Sequence, residues 1–118
     1  MRPFFHPAAE DITVEGVLHA LSDPVRACLF ARIAAAACSL TCTGVAEGSE
    51  ISVPKSTLSQ HFKVLRDAGL IRSERRGVEM HNLSRCDEVN KRFPGLLPAI
   101  MAAQKAEAAR GKRRRKVA

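Results

Sequence analysis

The stretch from Pro54 to Leu83 constrains the fold of this chain more than any other. Pro54 opens an amphipathic run in which Leu58, Phe62 and Leu65 recur at i, i+4 and i+7, the spacing of one helix face. Gly69 supplies the stop, because glycine adopts the left-handed backbone that ends many helices without a Cβ penalty. Two short strand-like runs follow at once, Ile71 to Arg75 and Val78 to Leu83, with Arg76-Gly77 between them as a tight hairpin. The chain is 118 residues long, which allows one compact domain and little more.

The flanking segments read as further helices. Val14, Val17, Leu18 and Leu21 have helical spacing within Thr13 to Leu21. Ser22-Asp23-Pro24 is a start signal, a capping side chain followed by a proline where no intrahelical amide is needed. The helix it opens shows Val25, Leu29 and Ile33 on one face and runs into alanines up to Ala37. Ser39 to Glu47 predicts a short, weaker helix with Gly44 inside it, and Gly48 to Ser52 a turn. Ser84 is placed to cap another helix, with Asp87 three residues on in a capping-box position, and Phe93-Pro94-Gly95 breaks it. A last helix starts near Gly95, tolerates Pro98 in its first turn, and gathers Leu96, Leu97, Ile100, Met101 and Gln104 on one face. The order is helix, helix, short helix, turn, strong helix, hairpin, helix, helix. It predicts a mainly α winged helix-turn-helix with a two-stranded β-hairpin wing and helices at both ends. Residues 1–10, with Pro3 and Pro7, read as a flexible arm, 11–109 as the winged-helix and dimerisation domain, and 110–118 as a disordered basic tail.

Charge is unevenly spread. Residues 1–50 hold three Lys and Arg against six Asp and Glu, residues 51–85 seven against three, and residues 86–118 nine against three, for a formal charge of +7. Lys112 to Lys116 are five consecutive basic residues. Such a run repels itself and has nothing to bury, so it reads either as a solvated terminus or as an arm that binds phosphate without specificity. The informative excess is the +4 of residues 51–85, which coincides with the strong helix and the hairpin. No apolar run approaches a membrane span, and Met1 to Glu10 lacks a signal-peptide core. The four irregularly spaced cysteines are not needed as staples. The expectation is a cytoplasmic protein with reduced thiols, no membrane association and no cofactor.

The side of the strong helix opposite its apolar stripe carries Lys55, Ser56, Ser59, Gln60, Lys63 and Arg66. Small hydroxyls near a helix N-terminus can bond phosphates or base edges, and a helix N-terminus itself favours an anion. Gln60 can pair bidentately with adenine, His61 can meet a base edge or phosphate or act as a cap, and Lys63 and Arg66 suit the backbone. A merely solvated polar face would look similar on this helix alone. The neighbouring hairpin, with Arg72, Arg75 and Arg76 assigned to its tip, favours contact with double-stranded DNA.

At this point the chain resembles a known family. Leu21-Ser22-Asp23-Pro24-Val25-Arg26 resembles the opening of ArsR-type (ArsR/SmtB) winged-helix repressors. Lys55-Ser56-Thr57-Leu58-Ser59-Gln60-His61-Phe62-Lys63-Val64-Leu65-Arg66-Asp67-Ala68-Gly69-Leu70-Ile71 looks like their recognition helix and its exit, and Arg75-Arg76-Gly77-Val78 like their wing. The resemblance covers roughly residues 13–105. It implies a bacterial homodimeric repressor that binds operator DNA through Lys55, Ser56, Thr57, Ser59, Gln60, His61, Lys63, Arg66, Arg75 and Arg76. It also implies release by an effector, often a metal ion, metalloid or thiol oxidant. First and last helices form the dimer in such proteins, which assigns Val14, Leu18, Leu97, Ile100 and Met101 to that role. Packing of the last helix on the opening one within a single chain is compatible with this.

Cys38, Cys42 and Cys86 are the candidate thiol sensors, with Cys28 read as a core residue. Metal-sensing relatives open the short helix with a Cys-x-Cys box, whereas this chain has Thr41-Cys42-Thr43-Gly44, which argues against that site. Cys38 and Cys42 could still bind a soft ion or form a disulfide, or all these thiols could be small packing residues. His6, His19, His61 and His81 show no ligand spacing within one helix, so no metal site is assigned. Two other functions compete. A winged-helix protein-interaction module needs only the apolar stripe, whereas the motif here includes the polar positions as well. A small thiol enzyme using His81 or His61 has no paired acid–base signature behind it.

Overall fold

The computed structural model describes residues 4–36, 40–41, 44–45 and 53–117, with the backbone alone for 112–117. A 3-10 turn at Ala9–Asp11 leads into α1 (Val14–Leu21), α2 (Pro24–Ala35), β1 (Leu40–Thr41) and α3 (Lys55–Asp67). The hairpin β2 (Ile71–Arg76) and β3 (Glu79–Ser84) follows, then α4 (Cys86–Arg92) and α5 (Leu96–Val117). Caps set the early boundaries. The Thr13 hydroxyl accepts the Gly16 amide, and the Asp23 carboxylate accepts the amides of Val25 at 2.8 Å and Arg26 at 3.2 Å.

The core is where these faces meet. Leu29, Phe30 and Ile33 of α2 pack with Phe62 and Leu65 of α3, Leu70 and Ile71 at the entry to β2, Val17 of α1, Val89 of α4 and Leu97 of α5. The turn out of α3 is fixed by Gly69, at φ +83, where an added Cβ would stand 2.5 Å from Ile12 Cγ1. No other residue fits both the backbone sign and that approach.

Several expectations change. The wing is larger than a hairpin: β1 pairs antiparallel with β3, so the sheet has three strands in the order β1-β3-β2. Leu40 and Thr41, expected at the start of a short helix, are extended because they pair with Asn82 and His81. Asn82 Nδ2 also donates to the Leu40 carbonyl at 3.2 Å. Of the rest of that expected helix, Gly44 and Val45 are helical, and most of it lies outside the described residues. Ser84 ends β3 instead of capping a helix; the residue before α4 is Arg85, which provides no side-chain cap.

Within the segment expected to be an arm, His6 bonds to β2 and the Pro7 carbonyl to Arg85. The helical backbone of α5 does not stop at residue 109 but continues to Val117. Alanine, lysine and arginine are all strong helix formers, and cations are favoured at a helix C-terminus, so local propensity outweighs the repulsion within the basic run.

Candidate nucleic-acid interface

α3 is positioned by its buried face. Phe62 and Leu65 are fully enclosed and Leu58 packs against the core, which turns Lys55, Ser56, Thr57, Ser59, Gln60 and Lys63 outward, all exposed. The first two turns of the helix therefore present hydroxyls, an amide and a lysine together with the free N–H groups of the helix start, an arrangement suited to anionic oxygens and base edges. Further along, Lys63 Nζ lies 2.8 Å from Asp67 Oδ2 on the surface.

Two members of the predicted set face elsewhere. His61 is half-buried, and its Nδ1 is fully enclosed without a hydrogen-bond partner among the described residues. It lies near the start of α2. Burial there works to raise the Asp23 carboxyl, but the amides of Arg26 and Val25 and the charges of Arg26 and His61 outweigh it and hold the carboxyl below its ordinary range. Arg66 is half-buried as well. Its Nη1 lies 3.4 Å from Ser73 Oγ and 3.7 Å from Met80 Sδ, and its guanidinium stands 4.4 Å from the centre of the Phe4 ring. Arg66 thus joins the end of α3 to the wing.

On the wing, Arg75 and Arg76 are exposed. Arg75 lies 5.3 Å from the same Phe4 ring, and Arg76 Nη2 lies 3.4 Å from Glu74 Oε2. The turn uses Gly77 at φ +66 and leaves Val78 almost wholly exposed. Arg72, expected at the tip, is at the base of the hairpin opposite Leu83, with Nη2 4.0 Å from Glu88 Oε2. Beneath the wing Ser73 and Asn82 are buried and bonded to each other, Ser73 Oγ to Asn82 Oδ1 at 2.8 Å. Sequence reading missed Phe4, His6, Ser73, Asn82 and Arg85. Their roles depend on partners up to 78 positions away, and no local pattern announces them.

The faces assigned to dimerisation divide. Leu97 is 2% exposed and belongs to the chain's own core, so it is withdrawn from any surface. Val14 is half-buried and Leu18 is 47% exposed. Ile100 and Met101 line an apolar groove of about 580 Å³ between α2 and α5, with Ala27, Phe30 and Ala31 opposite. Gln104 Nε2 closes the junction by donating to the Leu21 carbonyl at 3.2 Å. Cys28 is exposed on this groove and not in the core, because α2 turns Leu29 inward and its neighbour outward. Cys86 is half-buried at the start of α4; Cys38 and Cys42 lie outside the described residues. Among the described residues no cluster of three or more His, Cys, Asp or Glu is placed to hold a metal ion, and no helix is long and apolar enough to cross a membrane.

Comparison with known proteins agrees with this geometry. Residues 21–74, from the end of α1 to the middle of β2, match a helix-turn-helix domain family. Among solved structures, the chain is similar to an ArsR-like transcriptional regulator from Rhodococcus sp. RHA1, at 21% identity and TM-score 0.54, over 87% of this chain and 86% of that one. It is also similar to an ArsR family transcriptional regulator at 19% identity and TM-score 0.56, over 89% and 97%. A third likeness is to reduced HlyU from Vibrio cholerae N16961, at 20% identity and TM-score 0.52, over 68% and 87%. No curated protein matches the sequence. The chain is a winged helix-turn-helix protein. More particularly, it has the fold of the ArsR-type transcriptional regulators, the family its recognition-helix motif resembles.

Proposed function

We propose that this chain is a DNA-binding transcriptional regulator that acts as a homodimeric repressor and leaves its operator in response to a signal. One observation carries the reading: the exposed row Lys55, Ser56, Thr57, Ser59 and Gln60 at the start of α3, with Arg75 and Arg76 exposed on the adjoining wing. The helix row has the residue types that read bases in a major groove, and the wing arginines have the charge to hold phosphates beside it. His61 and Arg66 act from behind this surface, by packing it.

The test is a titration of duplex DNA taken from upstream of the protein's own gene, against a scrambled duplex, at several salt concentrations. Tight binding to the first, with a steep fall as salt rises, supports operator recognition through phosphates. Absence of duplex binding at any salt sinks the reading. Exposed Leu18 and the open groove at Ile100 and Met101 support a symmetric dimer through α1 and α5; light scattering that returns a monomer at micromolar concentration would remove it. Cys38, Cys42 and Cys86 remain the thiols assigned to sensing, checked by intact mass with and without reductant. The basic run beyond residue 110 is assigned sequence-independent phosphate contact.

A further inference from the structure

We propose that the N-terminal arm is a working part of the DNA interface, with Phe4 as the residue that positions Arg66 and Arg75. The proposal rests on the DNA-binding reading above. One aromatic ring serves both guanidinium groups, 4.4 Å from that of Arg66 and 5.3 Å from that of Arg75. These arginines come from two different elements, the end of α3 and the outer part of β2. Two cations brought to one ring repel, and the electron-rich π system between or beneath them offsets that repulsion. A flexible arginine also loses side-chain entropy on meeting a phosphate. Stacking restricts Arg75 before DNA arrives, so less is lost on binding.

The arm that carries the ring is seated at three independent points. His6 Nε2 accepts the Ser73 amide at 2.9 Å, an edge-strand N–H that the sheet leaves unpaired on that side. The Pro7 carbonyl accepts Arg85 Nη1 at 2.8 Å. Pro7 and Ile12 lie over the bare face of Gly69, where α3 ends. A segment held at these points fixes the angle between the recognition helix and the wing through Phe4 and not through the core alone.

The experiment compares the unsubstituted chain with Phe4→Leu and Phe4→Tyr. Leucine keeps apolar bulk without a π face; tyrosine keeps the ring. Affinity for the upstream duplex is measured at low and moderate salt, and the order of the Arg66 and Arg75 Nε–H groups is measured by NMR in the free protein. Phe4→Leu is expected to weaken duplex binding about fivefold and to loosen both arginine groups, while Phe4→Tyr stays close to the unsubstituted protein. Equal affinity in Phe4→Leu overturns the proposal. So does tighter binding, which would mean that the ring masks the arginines. Loss in Phe4→Tyr as large as in Phe4→Leu overturns it as well. Failure of the unsubstituted chain to bind any duplex overturns the functional reading by itself. Unchanged arginine order in Phe4→Leu overturns the clamp whatever the DNA result.

Discussion

Arg85 holds Glu88 through two parallel hydrogen bonds, Nε to Oε2 at 2.6 Å and Nη2 to Oε1 at 3.0 Å, while its Nη1 reaches the Pro7 carbonyl. Arg85 is 4% exposed, so its charge depends on these partners. Glu88→Ala leaves a guanidinium buried without its carboxylate and is expected to cost about 2 kcal/mol in a urea titration. Arg85→Met is expected to cost less, because the carboxylate left behind is partly exposed and water can solvate it. The pair also sets an acid limit. The Arg85 hydrogen bonds, opposed by burial and aided by the charges of Arg85, Arg72 and Lys91, hold Glu88 below its ordinary value of 4.5. Its contribution is complete above that value and lost as pH falls through the lower folded one. The acid stability curves of the unsubstituted chain and Glu88→Gln should therefore converge at the acid end.

The seat of the arm titrates in the neutral-to-acid range. His6 accepts the Ser73 amide through Nε2 and must be unprotonated there. Burial first, then the charges of Arg72, Arg85 and Arg66, lower its pKa from 6.5, against an opposing Glu74. Above the unfolded value both docked and free arms are neutral and the seat is complete. As pH falls below it the free arm gains a proton first, and docking weakens through the lower folded value. Exchange of the Ser73 amide, corrected for intrinsic rate, should show less protection near about pH 5.5 than near about pH 7.5. His6→Gln should flatten that difference.

The two positive-φ turns around the wing make a contrast. At Gly69 an added Cβ meets both the left-handed backbone and Ile12, at 2.5 and 2.7 Å. Gly69→Ala should destabilise by about 3 kcal/mol. Gly77 has a similar φ of +66 but nothing within 4 Å, so Gly77→Ala should cost only about 1 kcal/mol. Thermal melts of the two variants that shift equally would contradict this.

Residues of the interface should divide by role. Gln60→Ala and Ser59→Ala are expected to narrow the gap between operator and scrambled duplex by about tenfold, with little change in non-specific affinity. Arg75→Ala should weaken both duplexes alike and make the salt slope shallower. Anisotropy titrations with the two duplexes decide; equal losses on both sides for all three variants would remove the division.

Short-range physics makes the principal helices and the hairpin legible in the sequence, whereas β1 forms only by pairing with β3 and is not. The Leu58, Phe62 and Leu65 spacing makes α3 a helix, Asp23-Pro24 starts α2, and Gly69 and Gly77 supply turns that other residues resist. The outward row of α3 follows from the same period. Which of those polar residues are available depends on the packing of the folded chain. Arg66 and His61 share the helix surface with Lys63 and Gln60, yet Ser73 and Phe4 draw Arg66 toward the wing, and His61 settles beside the start of α2. Leu97 and Cys28 exchanged the roles their residue types suggest, one taken into the core and the other left on a groove. The arm is the clearest case. Among the described residues the partners of Phe4 and His6 are an edge amide and two arginines that only the folded sheet brings within reach. Burial and hydrogen bonding between residues far apart in the chain leave no period to read, whereas helices, caps and turns do.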